Sequence, residues 1–340
     1  MASVVRAWGV VVPMDRGEEV RKALRDRGVL LKNLKIQRDA DRLVLPTIRR
    51  MDVGFPTEQR DFEEGFVAIR SYRDLVRLPE GLQSLLPHAF DVIGDIAVLK
   101  IPEELTAHRG EIGEAILAWN RKIGVVAQDR GVAGELRIRK LEIIAGERRT
   151  ETVHVEHGLR YKVDVARAYF SPRLATERLR VTGEVEPGET VVDPFAGVGP
   201  YAILIARRSQ PKRVVASDAN PVAIKFLREN VAMNRASLVE VREGDARAVL
   251  RSIEAADRVI LDLPHSAMDF VPDASRSLGL RGFIHVYGIV EAAERGEAVD
   301  RIRAAVERGG RSVEDVQVRT VRAYSPTQHH VAFDLKVARG

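Results

Sequence analysis

Residues 190–202, Thr-Val-Val-Asp-Pro-Phe-Ala-Gly-Val-Gly-Pro-Tyr-Ala, constrain the chain more than any other stretch. The β-branched run before Asp193 suits a buried strand. Gly197 and Gly199 let the backbone turn and approach a ligand, and Pro200 suits the first turn of a helix. Strand, glycine turn and helix in that order imply a parallel α/β sheet with its ligand at the carboxyl ends of the strands. Read as G-x-G-x-x-A, the turn also matches a dinucleotide fingerprint, so by itself it does not choose the ligand.

The residues downstream of the turn choose better. Strands are expected near Thr190–Asp193, Arg213–Ser217, Leu238–Arg242, Arg258–Asp262 and Phe283–Tyr287, with helices between them. Two more β segments, Val316–Ala323 and His330–Val337, are joined only by Tyr324–His329, too short for a crossover helix, so that pair must be antiparallel. A doubly wound parallel sheet closed by a C-terminal antiparallel hairpin is the Rossmann-like plan of class I methyltransferases. A dinucleotide dehydrogenase normally continues with another parallel strand.

Acidic residues close three consecutive strands. Asp193 precedes the glycines, where it can meet the amino end of a methionine moiety. Asp218 is placed to accept both hydroxyls of a ribose, and Asp245 to accept from an adenine amino group. Any one of them alone reads equally as a turn or helix cap; the three together line the ligand crevice of an open sheet. Gly197, Gly199, Phe195, Ala219 and Ala246 complete this set, which points to S-adenosylmethionine. The fourth strand ends in Asp262-Leu-Pro264. A side-chain oxygen there can hold an N–H of a flat base, and the proline stiffens the loop that presents it.

The 340 residues exceed one compact core and divide into three stretches. Residues 1–60 form a small βαβ-like module: a strand over Arg6–Val12, a helix over Arg16–Arg27, and a broken strand pair over Ile36–Ile48, with Met51–Gly65 as linker. Residues 61–168 are mixed α+β. There Ile93–Ile101, Glu135–Ala145 and Thr152–Val165 read as strands, and Glu104–Asn120 as a helix with Leu105, Ile112, Ile116 and Trp119 inward. Residues 169–340 hold the Rossmann-like domain.

Positive charge is placed unevenly. Residues 1–50 carry 12 Lys and Arg against 6 Asp and Glu, and residues 121–149 carry 8 against 4, although the whole chain is only +5. A basic module beside a neutral body fits a polyanion such as nucleic acid. A heat-adapted, arginine-rich surface gives the same counts, so charge alone leaves both open. The absence of cysteine excludes disulfides, thiolate-held zinc, iron–sulfur clusters and thiolate nucleophiles. No metal is required by the sequence; His154 and His157 read as surface residues. No run approaches the ~20 apolar residues of a membrane span, and Met1–Arg6 does not open a signal peptide, so a cytoplasmic, monomeric protein is expected.

Several motifs together resemble a known family. They are Gly94-Asp-Ile-Ala-Val-Leu99, Gly134-Glu-Leu-Arg-Ile-Arg-Lys-Leu141, Tyr169-Phe-Ser-Pro-Arg-Leu174 with Glu177-Arg178, Asp193–Pro200, Asp218-Ala-Asn-Pro221, Asp262-Leu-Pro264 and Tyr324-Ser-Pro326. The chain is similar to the archaeal and eukaryotic tRNA guanine-N1 methyltransferases that modify position 37. That resemblance implies methyl transfer from S-adenosylmethionine to guanosine in tRNA, with the N-terminal module recognising the outer corner of the tRNA. It implies Arg137 as the cation that stabilises charge on the guanine oxygen and Glu177 as general base for the N1 proton. Arg178 would approach the cofactor, with Tyr169 at the edge of the same pocket. Taken without the family, Arg137 reads as a solvated strand residue and Glu177 as the surface ion-pair partner of Arg173.

Guanine N1 carries a proton, and removing it spreads charge onto the neighbouring oxygen, so a base and a cation are the expected pair. The family usually has Asn where this chain has Asp262. A carboxylate accepts but does not donate, so Asp262 either holds the base or is itself the proton acceptor. Asp at this point is also frequent in adenine-N6 methylases. Relatives of the same fold transfer an aminocarboxypropyl group to, or methylate, a tricyclic guanosine derivative in tRNA. A non-catalytic RNA-binding protein is the alternative of a different class.

Overall fold

The computed structural model describes residues 4–65, 69–79, 81–133 and 138–339. It divides into two compact units, residues 1–74 and 75–340. In the first, β1 (Val4–Pro13), α1 (Gly17–Asp26), β2 (Gln37–Asp39), β3 (Arg42–Thr47) and β4 (Thr57–Glu63) follow one another. The sheet order is β2-β3-β1-β4. The strand–helix–strand order of the sequence is present, but β1 and β3 pair antiparallel, so no parallel crossover forms. The stretch expected to be linker contains β4, which pairs with β1 from Val4↔Glu63 to Val10↔Thr57. Its alternation was hidden because only Phe62 is apolar enough to mark a buried face. Val10, Val12, Val20, Leu24 and Leu45 form the core beneath α1.

The second unit begins with a four-stranded sheet of β5 (Asp91–Ile93), β6 (Ile96–Leu99), β7 (Val125–Ala133) and β8 (Ile138–Gly146), in that order. Gly94 breaks the expected Ile93–Ile101 strand into a hairpin. Helix α2 (Arg109–Trp119) then crosses over to set β7 parallel to β6. Leu105, Ile112 and Ile116 are fully buried as expected, but Trp119 is 39% exposed at the helix end, where it meets Phe90 edge-on. Strands β9 (Glu151–Glu156) and β10 (Leu159–Asp164) form a separate hairpin.

The C-terminal sheet is built from β11 (Thr190–Asp193), β12 (Arg213–Asp218), β13 (Val239–Glu243), β14 (Ala256–Leu261), β15 (Leu278–Glu291), β16 (Arg311–Ala323) and β17 (Gln328–Arg339). Its order is β13-β12-β11-β14-β15-β17-β16. The first five strands run parallel, and β17 inserts antiparallel between β15 and β16. Helices α3 (Ala175–Glu184), α4 (Pro200–Arg208), α5 (Pro221–Met233), α6 (Ala246–Arg251), α7 (Val271–Ser277) and α8 (Arg295–Arg308) cover both faces. Because both faces are covered, β11, β12 and β14 read as continuous apolar runs. On one face, Val191, Val214 and Ile224 share a core with Ile96 and Val98 of the preceding sheet and with Tyr161 and Val163 of the hairpin. No helix among the described residues is long and apolar enough to cross a membrane.

Two asparagines on α5 fasten the hairpin. Asn230 accepts from the Lys162 amide at 2.7 Å and donates to the Lys162 carbonyl at 3.0 Å. One turn on, Asn234 makes the same pair of bonds with Arg160, at 2.9 and 2.6 Å. Spaced four residues apart on one helix face, the two amides satisfy the β10 backbone groups that a neighbouring strand would otherwise take.

Candidate active site

A cavity of about 290 Å³ opens at the carboxyl ends of β11 to β14 and is walled on the far side by the β16–β17 hairpin. The sheet reverses its order here: β12 and β13 lie on one side of β11, β14 and β15 on the other. Such a switch point leaves a crevice above the strand ends.

The structure brings most of the expected residues to this crevice. Tyr169, Arg178, Phe195, Gly197, Asp218, Ala219, Asp245, Ala246, Asp262 and Pro264 all line it. Gly197, at φ +53°, offers its amide to Asp218 at 2.9 Å, tying the tip of β12 to the glycine turn. A second amide, of Asn220, reaches Asp218 at 2.8 Å. Burial nonetheless raises the Asp218 pKa against these two bonds. Asp245 is both cap and wall residue: one oxygen accepts from the Arg247 and Ala248 amides at the start of α6. Phe195 stacks edge-on against Phe270, with ring centres 4.9 Å apart.

Arg178 lines the cavity but is not a free cation. It is 2% exposed and makes paired bonds to Glu156 at 2.8 and 2.6 Å, plus one to the Ser171 carbonyl. A buried arginine fixes geometry, and the paired hydrogen bonds to a carboxylate offset the desolvation that burial costs it. Tyr169 stands at the rim, 39% exposed, under the guanidinium of Arg139 at 5.7 Å. Arg137 falls outside the described residues.

Three expected residues do not line the cavity. Gly199 caps α4 at φ +94°, and a β-carbon there would lie 2.3 Å from Leu227, so its role is close helix packing. Asp193 is 1% exposed, directly before the wall residues Pro194 and Phe195, and neither of its carboxylate oxygens is hydrogen-bonded. Burial first, and the charge of Asp262 second, push its pKa well up; the Phe195 amide opposes this without reaching bonding geometry. Glu177 is 7% exposed and is not the partner of Arg173, which pairs instead with Asp91. Arg180 grips both Glu177 oxygens, and the Tyr287 hydroxyl donates to one of them at 2.7 Å.

Sequence reading missed the far wall. Arg322, Tyr324 and His330 of the β16–β17 hairpin face the cavity, as does Tyr201 in the first turn of α4, which was also missed. His330 is 3% exposed with its Nε2 unbonded, and burial, reinforced by the Arg322 charge, lowers its pKa to about 4, so it is a neutral imidazole. Only the Tyr324-Ser-Pro326 motif pointed there. His154, expected at the surface, is mostly buried and accepts the Gly94 amide at Nδ1.

An open sheet of this order, with acidic strand tips around a glycine turn, defines the protein as a class I, S-adenosylmethionine-dependent methyltransferase. The cavity fits that cofactor: an orphaned buried carboxylate lies behind the wall, and strand-tip acids face the space. Three family descriptions match the chain: tRNA methyltransferase 5 N-terminal domain at residues 9–53, TYW2 N-terminal domain at 72–150, and TRM5/TYW2 methyltransferase domain at 152–314. The tRNA (guanine(37)-N(1))-methyltransferase Trm5b of Pyrococcus abyssi is 40% identical over 331 residues, covering 97% of this chain and 98% of the relative. A crystal structure of Trm5b from the same organism superposes with a TM-score of 0.73 at 40% identity, covering 98% of this chain and 99% of that one. The chain of a complex of aTrm5 with tRNALeu superposes at 0.69 and 30% identity, covering 96% and 99%. The chain therefore belongs to the TRM5/TYW2 tRNA methyltransferase family.

Proposed function

We propose that the chain transfers a methyl group from S-adenosylmethionine to N1 of guanosine at position 37 of tRNA. The observation that carries this is a single cavity that joins the acidic strand tips Asp218 and Asp245 to the Asp262-Leu-Pro264 loop. One side thus suits a nucleoside cofactor, and the other a flat base held edge-on. When bound, the cofactor supplies an electrophilic methyl on a sulfonium.

Asp218 would hold the ribose hydroxyls and Asp245 the adenine amine, while Asp193, directly behind Pro194 and Phe195, would meet the methionine ammonium directly or through water, which satisfies its orphaned carboxylate. Asp262 lines the cavity and accepts N–H groups from the base edge. Glu177 is the terminal acceptor for the N1 proton. Arg137 is the cation for the guanine oxygen; Arg139, two residues along the chain, already reaches over Tyr169 at the rim. Preorganised charge of this kind usually supplies the largest share of catalysis.

Residues 1–60 serve as the tRNA-recognition module, supported by their excess of basic residues and by the family match over 9–53. Residues 61–168 position the RNA, and residues 169–340 carry the methyl transfer. A monomer acting in the cytoplasm completes the reading.

Mass spectrometry of nucleosides from a G37-containing tRNA, incubated with enzyme and cofactor, tests the reading. N1-methylguanosine is the expected product. N6-methyladenosine instead would overturn the substrate and give Asp262 a different meaning. Transfer seen only on tRNA that already carries the tricyclic nucleoside, with plain G37 left unmodified, would place the chain with its wyosine-forming relatives.

A further inference from the structure

Glu177 is in the wrong place to touch a base in the cavity, since Arg180 and Tyr287 occupy its carboxylate behind the wall. Two phenols bridge the gap. Tyr201, in the first turn of α4, is part of the cavity wall and donates its hydroxyl to the Tyr287 oxygen at 2.9 Å. Tyr287, on β15, donates in turn to Glu177 Oε1 at 2.7 Å. Both side chains are nearly inaccessible, at 3% and 1% exposure, so bulk water does not interrupt them. Both hydroxyls point the same way, toward the carboxylate. No described residue donates to the Tyr201 oxygen, which keeps an acceptor position at the cavity end of the chain.

We propose that Tyr201 and Tyr287 form a hydroxyl relay that carries the N1 proton of the target guanine from the cavity to Glu177. The proposal rests on the methyl-transfer reading of this cavity. As the N1–H bond breaks, its proton moves to the Tyr201 oxygen. The Tyr201 hydrogen passes to Tyr287, and the Tyr287 hydrogen passes to Glu177. Glu177 ends as a neutral carboxylic acid, both phenols are restored, and the N1 electron pair is free to accept the methyl group. After product release the same chain runs backwards and returns the proton to the open cavity.

The electrostatics suit passage rather than storage. Burial, with the charges of Asp262 and Glu177 adding to it, pushes both phenol pKa values well above the ordinary tyrosine value, so neither residue rests as a tyrosinate. Arg180, whose pKa is raised by its bonds to Glu177 and Asp334 against the effect of burial, stays charged and does not compete for the proton. Asp262 is then left to hold the base while Glu177 takes the proton. The two carboxylates divide work that the sequence alone left in question.

The test is single-turnover methyl transfer to G37-containing tRNA by wild type, Tyr201→Phe and Tyr287→Phe, from about pH 6 to about pH 9, with cofactor affinity measured by calorimetry. Both variants should bind cofactor as wild type does and react about 10²-fold more slowly near neutrality, the low end of a lost proton-transfer group. Their rates should climb about tenfold per pH unit as hydroxide and spontaneous N1 ionisation take over, whereas the wild-type rate changes little. A uniform slowing at every pH, or a Tyr201→Phe enzyme as fast as wild type, overturns the relay while leaving the function intact. A wild-type enzyme that leaves guanosine unmethylated overturns the reading of the cavity, and the relay with it. Should either variant fail to fold, the wild-type rate in mixtures of light and heavy water decides. Three protons in flight give a curved dependence on deuterium fraction, and a straight line overturns the relay.

Discussion

Asp193 is costly to the free enzyme. Its carboxylate is buried, unbonded and within the field of Asp262. Because the folded pKa is raised above the ordinary value of about 3.9, the folded state holds a proton that the unfolded chain has lost. Stability is therefore fullest below the unfolded value and declines as pH rises toward the folded one. Asp193→Asn should remove that decline, raising the melting temperature of the free protein near neutrality while weakening cofactor binding. Thermal melts of both proteins across pH, subtracted from one another, isolate this residue from carboxylates such as Asp334 that shift the other way. A difference that is flat with pH would reject it.

At the same scale, Asp262→Asn should keep much of the methyl-transfer rate, because an amide still accepts a hydrogen bond. Glu177→Gln should lose about 10²–10⁴, and the fold should survive, since Arg180 retains Glu184 and Asp334 as partners. Single-turnover rates with the order reversed would make Asp262 the proton acceptor. The identity of these residues was legible from the sequence, but their distances from the cavity were not. Glu177 and Asp193 appear in motifs, yet a motif does not say which side of a wall its carboxylate faces.

At the scale of elements, the chain announced most of its strands because buried parallel strands are continuous apolar runs. It hid β4, whose outward face is charged, and the β9–β10 turn, where His157 and Gly158 both take positive φ inside one long β-prone stretch. The far wall was hidden for another reason. Arg322, Tyr324 and His330 come to the cavity because β17 inserts between β15 and β16, and strand order is not written in local pattern. The hairpin's attachment yields a prediction of its own. Asn230 is fully buried and bonds Lys162 twice and the Val198 carbonyl once. Asn230→Ala leaves those backbone groups unsatisfied and should lower unfolding free energy by about 2–3 kcal/mol, read from denaturant midpoints. A loss under about 0.5 kcal/mol, the range of ordinary surface changes, would mean that water replaces the amide.

For the whole molecule, the first unit has its own sheet and its own core, so its removal is a fair test of its duty. A chain lacking residues 1–74 should bind cofactor unchanged and bind tRNA more weakly. Its binding should also depend less steeply on salt, because fewer phosphate contacts release fewer counterions. Filter binding at several salt concentrations checks this, and identical slopes would assign the basic module another task.

The ties around Asp95 bear on how such a protein can be recombined. Family matches end at residue 150 and resume at 152, which invites a cut there when domains are exchanged between relatives. Yet Asp95, before that cut, is held by Arg149 on one side of it and by Thr152 on the other, while His154 accepts the Gly94 amide. Two residues further on, Glu156 holds Arg178 in the cavity wall. A chimaera spliced at this seam keeps every strand, but it takes Asp95 and Thr152 from different parents, and likewise the core that Ile96 and Val98 share with Val191 and Val214. Its parents need to agree at those two positions for the graft to keep Arg178 in register, so seam compatibility, more than domain identity, decides which exchanges give an active hybrid.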